Sequence, residues 1–125
     1  MGTELLLGNI VNTNARDISQ ALSAVGVNVF WHTVVGDNPQ RLKEALDVAR
    51  KRADIIITTG GLGPTYDDLT KQTICEAFGK PLVLHQDILD DLKVFFEKNV
   101  HMKMPSNNLQ QAELPEGCTV FDNPV

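Results

Sequence analysis

The segment Thr58-Thr59-Gly60-Gly61-Leu62-Gly63-Pro64-Thr65, followed by Asp67-Asp68-Leu69-Thr70, gathers the residue types needed to hold a phosphate. Glycine tolerates positive φ and lets the backbone approach a ligand closely. The segment lies between an apolar run and a helical pattern, where a strand ends and a helix begins. Unpaired N–H groups and a partial positive charge at a helix start favour an anion there. The spacing is neither G-x-G-x-x-G nor G-x-x-x-x-G-K-[ST], so the physics of the position carries the reading rather than a dinucleotide or P-loop fingerprint. The alternative is a plain tight turn with Asp67 as an ordinary N-cap. Adjacent carboxylates would repel a phosphate unless a cation lay between them, so the pair predicts a divalent metal held by Asp68 and Asp67. Thr59, Gly60, Gly61, Leu62, Gly63, Thr65 and Thr70 are the candidate ligand contacts.

Asp37, in Val35-Gly36-Asp37-Asn38-Pro39, ends a predicted strand and could face the same crevice as a second catalytic carboxylate beside Asp68. Asp-Asn-Pro is equally a routine turn. Thr3, Glu4 and Asn12 could bring polar groups to the ligand, and helix capping explains the asparagine equally well. His32, His85 and His101 are scattered singly and read as surface or satisfied residues. Phe95 and Phe96 read as core, and Met102 and Met104 as gap fillers.

These residues need a scaffold of alternating helices and strands. Ile18, Leu22 and Val25 predict a helix between Asn12 and Gly26. The β-branched and aromatic run at 27–35 predicts a strand. Leu42, Ala45, Leu46 and Ala49 mark an amphipathic helix from Gln40 to about Lys51. The almost wholly apolar run 53–59 suits a strand covered on both faces of a parallel sheet. A helix opened by Asp67 and Asp68 and closed by Gly79 follows, then an extended link at 81–84 and a helix from about Gln86 to Lys98. One or two helical turns at 107–112 and a short strand at 118–121 complete the pattern, which is that of a doubly wound α/β domain.

A chain of 125 residues, 42% hydrophobic and 22% charged, fits one domain spanning 1–125. Its net charge of −5, without aromatic-interleaved basic clusters, argues against nucleic acid as a partner. Cys75 and Cys118 stand far apart with no C-x-x-C spacing, so neither a zinc site nor a disulfide framework is expected. No apolar run spans a bilayer and no secretory signal opens the chain, so a cytoplasmic location without membrane attachment is expected.

The segments Gly2-Thr3-Glu4-Leu5-Leu6-Leu7-Gly8-Asn9-Ile10-Val11-Asn12-Thr13-Asn14, Val34-Val35-Gly36-Asp37-Asn38, the glycine-rich motif through Thr70, Met104-Pro105-Ser106-Asn107-Asn108 and Leu114-Pro115-Glu116-Gly117 together resemble the N-terminal domain of the competence/damage-inducible CinA family. More distantly, the Thr-Gly-Gly-x-Gly core with Asp68 and Thr70 is similar to the MoaB/Mog-type molybdopterin-binding domains of molybdenum-cofactor biosynthesis. The resemblance implies a three-layer α/β/α fold with a mostly parallel sheet. It also implies metal-dependent pyrophosphatase action on ADP-ribose-like dinucleotides, with Mg²⁺, Mn²⁺ or Co²⁺ as cation and potassium as a further candidate. A pterin-like ligand bound without turnover, or an inactive fragment, is the alternative. The carried-over positions are Gly60, Gly61, Gly63, Asp67, Asp68 and Thr70, with Asp37 strengthened. Family members usually have an apolar strand before Gly-Thr-Glu and continue past Asn-Pro-Val. The chain therefore reads as truncated at both ends, without the nicotinamide mononucleotide deamidase domain of longer relatives, and with reduced stability or compensation in a homo-oligomer expected.

Overall fold

The computed structural model describes residues 1–8, 10–65 and 68–121. Its helices are α1 (Thr3–Leu6), α2 (Thr13–Ala24), α3 (Pro39–Arg50), α4 (Thr70–Phe78) and α5 (Gln86–Phe95), and its strands are β1 (Leu82–Leu84) and β2 (Glu113–Pro115). A wide helical turn, Phe96–Val100, prolongs α5, and a tight one, Ser106–Ala112, leads into β2.

Local chemistry sets the helix ends. The Asn12 side chain accepts from the Ala15 N–H at 3.2 Å at the start of α2, and the Asn38 side chain accepts from the Arg41 N–H at 2.9 Å at the start of α3. Each satisfies one orphan donor of a first turn. Pro39, whose missing N–H is harmless there, opens α3. Gly79 closes α4 in the left-handed region, φ 63°.

The core forms around α3. Val35, Leu42 and Leu46 are buried together, with Met1, Ala45, Ile56, Ile74 and Ala77 packed against them. Helices α3 and α4 lie side by side and run the same way. At one end Asn38, Pro39 and Leu42 face Leu69, Thr70 and Thr73 across a small cleft. At the other, the Arg50 guanidinium lies 4.8 Å above the Phe78 ring and donates to the Ala77 carbonyl at 3.2 Å. Between them Lys43 and Glu76 pair at 2.7 Å.

The sheet departs from expectation. Among the described residues the hydrogen-bonded sheet is the antiparallel pair β1–β2, with Leu82 opposite Pro115, Val83 opposite Leu114 and Leu84 opposite Glu113. The strands predicted at 27–35 and 53–59 form no ladder; residues 27–35 and 55–59 run without helix or turn. Both end beside Met1 and Gly2. The Met1 amine donates to the Thr59 carbonyl, and the Gly2 N–H donates to Val35 at 3.1 Å. The dipeptide thus stands between the two segments, and they do not reach each other. β2 lies just before the predicted strand at 118–121, which forms no ladder; Pro115, lacking an N–H, is tolerated at the end of this two-stranded edge. The helix expected to open at Asp67 and Asp68 begins at Thr70, with Leu69 at its N-cap and no side-chain cap. Asp67 itself lies outside the described residues. Among the described residues no helix is long and apolar enough to cross a membrane.

Leu46 is 3% exposed and joins α3 to the core. Leu46→Ala should lower the unfolding free energy by about 2–5 kcal/mol through lost burial and an unfilled cavity, read from the midpoint of urea denaturation.

Candidate functional site

The glycine-rich loop is held from three directions. Gly60 (φ 86°) and Gly61 (φ 62°) both occupy the left-handed region that side chains disfavour. A β-carbon on Gly60 would collide with the Met1 backbone, and one on Gly61 with the Thr70 hydroxyl. The backbone itself therefore packs against its neighbours here. Thr70, almost completely buried, donates its N–H to the Gly61 carbonyl at 3.3 Å and so ties the loop to the first residue of α4. Asn107, on the Ser106–Ala112 turn, donates to the Pro64 carbonyl at 3.4 Å. Leu62 is exposed beside them.

Asp68 forms the third hold. Its Oδ2 accepts from the Thr65 N–H at 3.1 Å and from the Thr65 hydroxyl. A β-carbon on Gly63 would lie 2.6 Å from that oxygen, so glycine is needed for the carboxylate to sit over the loop. The Thr65 hydroxyl holds the Asp68 carboxyl below the ordinary aspartate value of 3.8; partial burial opposes this, and the Thr65 and Gly63 backbone N–H groups reinforce it. Oδ1 makes no hydrogen bond among the described residues.

Asp37 serves a different loop. Its Oδ2 accepts from the Thr3 N–H at 3.0 Å and the Thr3 hydroxyl at 2.9 Å, so it caps α1 from a distance of 34 residues in sequence. Gly36 beneath it is buried, and a β-carbon there would come within 3.0 Å of Leu6. Asp37 and Thr70 line the same small cleft with Met1. No cleft or hydrogen bond among the described residues joins Asp37 to Asp68. Glu4 folds back over Gly2, Asn12 is spent capping α2, and Thr59 receives the Met1 amine. Among the described residues no cluster of three or more Asp, Glu, His or Cys side chains is shaped to hold a metal unaided. Asp68 is the described residue of the expected pair that could hold a cation, and a divalent metal is commonly held by one or two carboxylates plus phosphate.

Sequence reasoning did not single out Asn107 or Lys71. Lys71, one residue into α4, turns away from the loop and donates to the Gln110 carbonyl. Burial pushes its pKa down against the opposing effect of Glu113. Both residues tie the Ser106–Ala112 turn to the loop and helix, a long-range relation with no local periodicity to reveal it.

The family model described as "Probable molybdopterin binding domain" matches residues 1–122. The chain belongs to this family. It is also 57% identical over 123 residues to a competence-damage inducible homologue from Acetivibrio thermocellus, covering 98% of this chain and 30% of the relative. A CinA-like protein from Dictyoglomus thermophilum is 51% identical over 123 residues, again covering 98% of this chain and 30% of the relative. The crystal structure of the protein CinA, of unknown function, from Thermoplasma acidophilum is similar with a TM-score of 0.81 at 32% identity, covering 99% of this chain and 72% of that one. This molybdopterin-binding-type domain thus corresponds to part of longer CinA-type proteins and shares their MoaB/Mog-like α/β fold.

Because the folded state lowers the Asp68 pKa, its hydrogen bonds stabilise the fold fully above the unfolded value near 3.8 and are lost as pH falls through the lower folded value. The wild type should exceed Asp68→Ala in unfolding free energy by on the order of 1 kcal/mol at pH 7, as expected of hydrogen bonds at a solvent-facing turn. The gap should close as pH drops below the folded-state pKa, measured by denaturant titration across that range.

Proposed function

We propose that the chain binds a phosphorylated nucleotide- or pterin-like ligand on the Gly60–Thr65 loop and, with a divalent cation on Asp68, hydrolyses a diphosphate linkage of the ADP-ribose type. One observation carries this reading. Asp68 gives one carboxylate oxygen to the loop through Thr65 and keeps the other free of hydrogen bonds among the described residues. The carboxylate is thereby oriented by the loop that would hold the phosphate, and its free oxygen is available to a cation at the same place.

The roles follow from the donors. Loop N–H groups and the start of α4 favour the phosphate oxygens. The packing of Gly60 on Met1 and of Gly61 on Thr70 fixes the loop before ligand arrives, so little ordering remains to be done on binding. A bound divalent cation supplies Lewis acidity and a water of lowered pKa. Asp68 would orient that cation, and Asp37, bonded to Thr3 at the start of α1, keeps the Gly36–Pro39 wall of the cleft in place.

Membership of a molybdopterin-binding-type family carries a second reading, a pterin-binding module without turnover. Incubation of the chain with ADP-ribose and Mg²⁺, Mn²⁺ or Co²⁺ separates the two. Release of AMP and ribose phosphate is the expected outcome, whereas binding of the nucleotide with no product would establish the module. Asp68→Asn keeps an oxygen for Thr65 and removes the charge. It should leave the fold intact and reduce turnover at saturating metal by two or more orders of magnitude, on the order of 3 kcal/mol of transition-state stabilisation. Turnover equal to wild type would remove Asp68 from the mechanism.

A further inference from the structure

Cys75 and Cys118 stand far apart in sequence, but the fold brings them into one neighbourhood away from the glycine-rich loop. Lys71 and Cys75 are four residues apart on α4 and so share one face of that helix. The face lies against the segment that leads into β2: Lys71 donates to the Gln110 carbonyl, and the Glu113 carboxylate acts on the same ammonium. At the far end of α4 the Lys80 N–H donates to the Cys75 carbonyl at 2.9 Å. The adjoining Pro81 carbonyl accepts from the Glu116 N–H at 2.9 Å, and the Cys118 N–H turns back to the Pro115 carbonyl at 3.1 Å. Backbone hydrogen bonds thus lead in short steps from one cysteine to the other.

The two thiols differ as an attacking and a resolving cysteine must. Cys118 is exposed and ends a turn in which Gly117 takes a φ of 73°. Nothing lies within 4 Å of where a β-carbon on Gly117 would stand, so the turn has room to adjust. Cys75 is buried, at 4% exposure. Burial pushes its thiol pKa up; Lys71 opposes this and Cys118 adds to it, so both side chains lie within reach of its charge. A covered, protonated thiol is inert to reagents in solution but remains open to a sulfur on a neighbouring segment.

We infer that Cys75 and Cys118 are a redox pair, closing an intramolecular disulfide that staples α4 to the turn after β2 when the chain meets a small disulfide oxidant such as glutathione disulfide. The Cys118 thiolate attacks one sulfur of the oxidant, whose S–S bond breaks and releases one glutathione. The Cys75 sulfur, as its proton leaves, attacks the Cys118 sulfur and expels the second glutathione. Two protein thiols are oxidised to one disulfide, one glutathione disulfide is reduced to two thiols, and the two protein protons end on them. The inference is independent of the phosphate-site reading, since neither thiol belongs to that site.

The test is oxidation of the intact, folded chain with glutathione disulfide, followed by alkylation of free thiols with iodoacetamide and mass spectrometry. The wild type should become lighter by two hydrogens, take up no alkyl group, and yield one linked Cys75–Cys118 peptide on proteolysis without reductant. Its Tm should rise by about 10 °C and return with dithiothreitol. Cys75→Ala should stop at a stable glutathione adduct on Cys118, and Cys118→Ser should leave Cys75 unmodified under the same conditions. A wild type that stops at the Cys118 adduct, that forms only disulfide-linked dimers, or that closes the bond only in urea would overturn the inference.

Discussion

Two backbone hydrogen bonds, from Met1 to Thr59 and from Gly2 to Val35, set the position of everything at the glycine-rich end. Residue 35 leads directly into Gly36 and Asp37, and residue 59 directly into Gly60 and Gly61. Tying both to one dipeptide brings the loop that opens α3 and the loop that opens α4 to a common point, although 24 residues separate their tethered carbonyls. Gly60 then has to be glycine because the Met1 backbone fills the space a side chain would take. The same dipeptide starts α1, whose first N–H and hydroxyl are met by Asp37. One rung of backbone thus positions both aspartate-bearing loops.

The helices were legible because their signals are local. Asn12, Asn38 with Pro39, and Gly79 act within four residues of the groups they satisfy, and the apolar spacing of Leu42 and Leu46 gives the buried face of α3 directly. The strands were legible only as composition. A run such as 55–57, three isoleucines, reads as buried on both faces, but a ladder requires a neighbour at the right distance, which composition does not contain. The site divides in the same way. The glycine loop was legible as a motif, whereas the burial of Thr70 against it, the engagement of Asp37 with Thr3 and the tie from Asn107 to Pro64 depend on tertiary contacts, the last two 34 and 43 residues apart.

The two carboxylates singled out from the sequence do different work in the folded chain. Each accepts one N–H and one hydroxyl from a threonine, Asp68 three residues away and Asp37 across the fold. Such pairs are anion-binding arrangements in miniature, with the carboxylate as the anion. The Thr65 donors are thereby spent on Asp68, and Lys71 nearby is committed to Gln110.

The parallel packing of α3 on α4 has an electrostatic side. Like ends of two aligned macrodipoles lie together, which is mildly repulsive at both ends and leaves the partial positive charges of two helix starts pointing into one cleft. Arg50 relieves the opposite end. It belongs to the last turn of α3, its guanidinium bonds to the Ala77 carbonyl in the last turn of α4, and it stacks on Phe78, so one cation faces the negative poles of both helices. The positive ends meet where Thr70 faces Asn38, in the cleft that Met1 and Asp37 also line. Two aligned helix starts thus favour a negative group at this end, and the Asp37 carboxylate in the same cleft is one that the chain itself supplies.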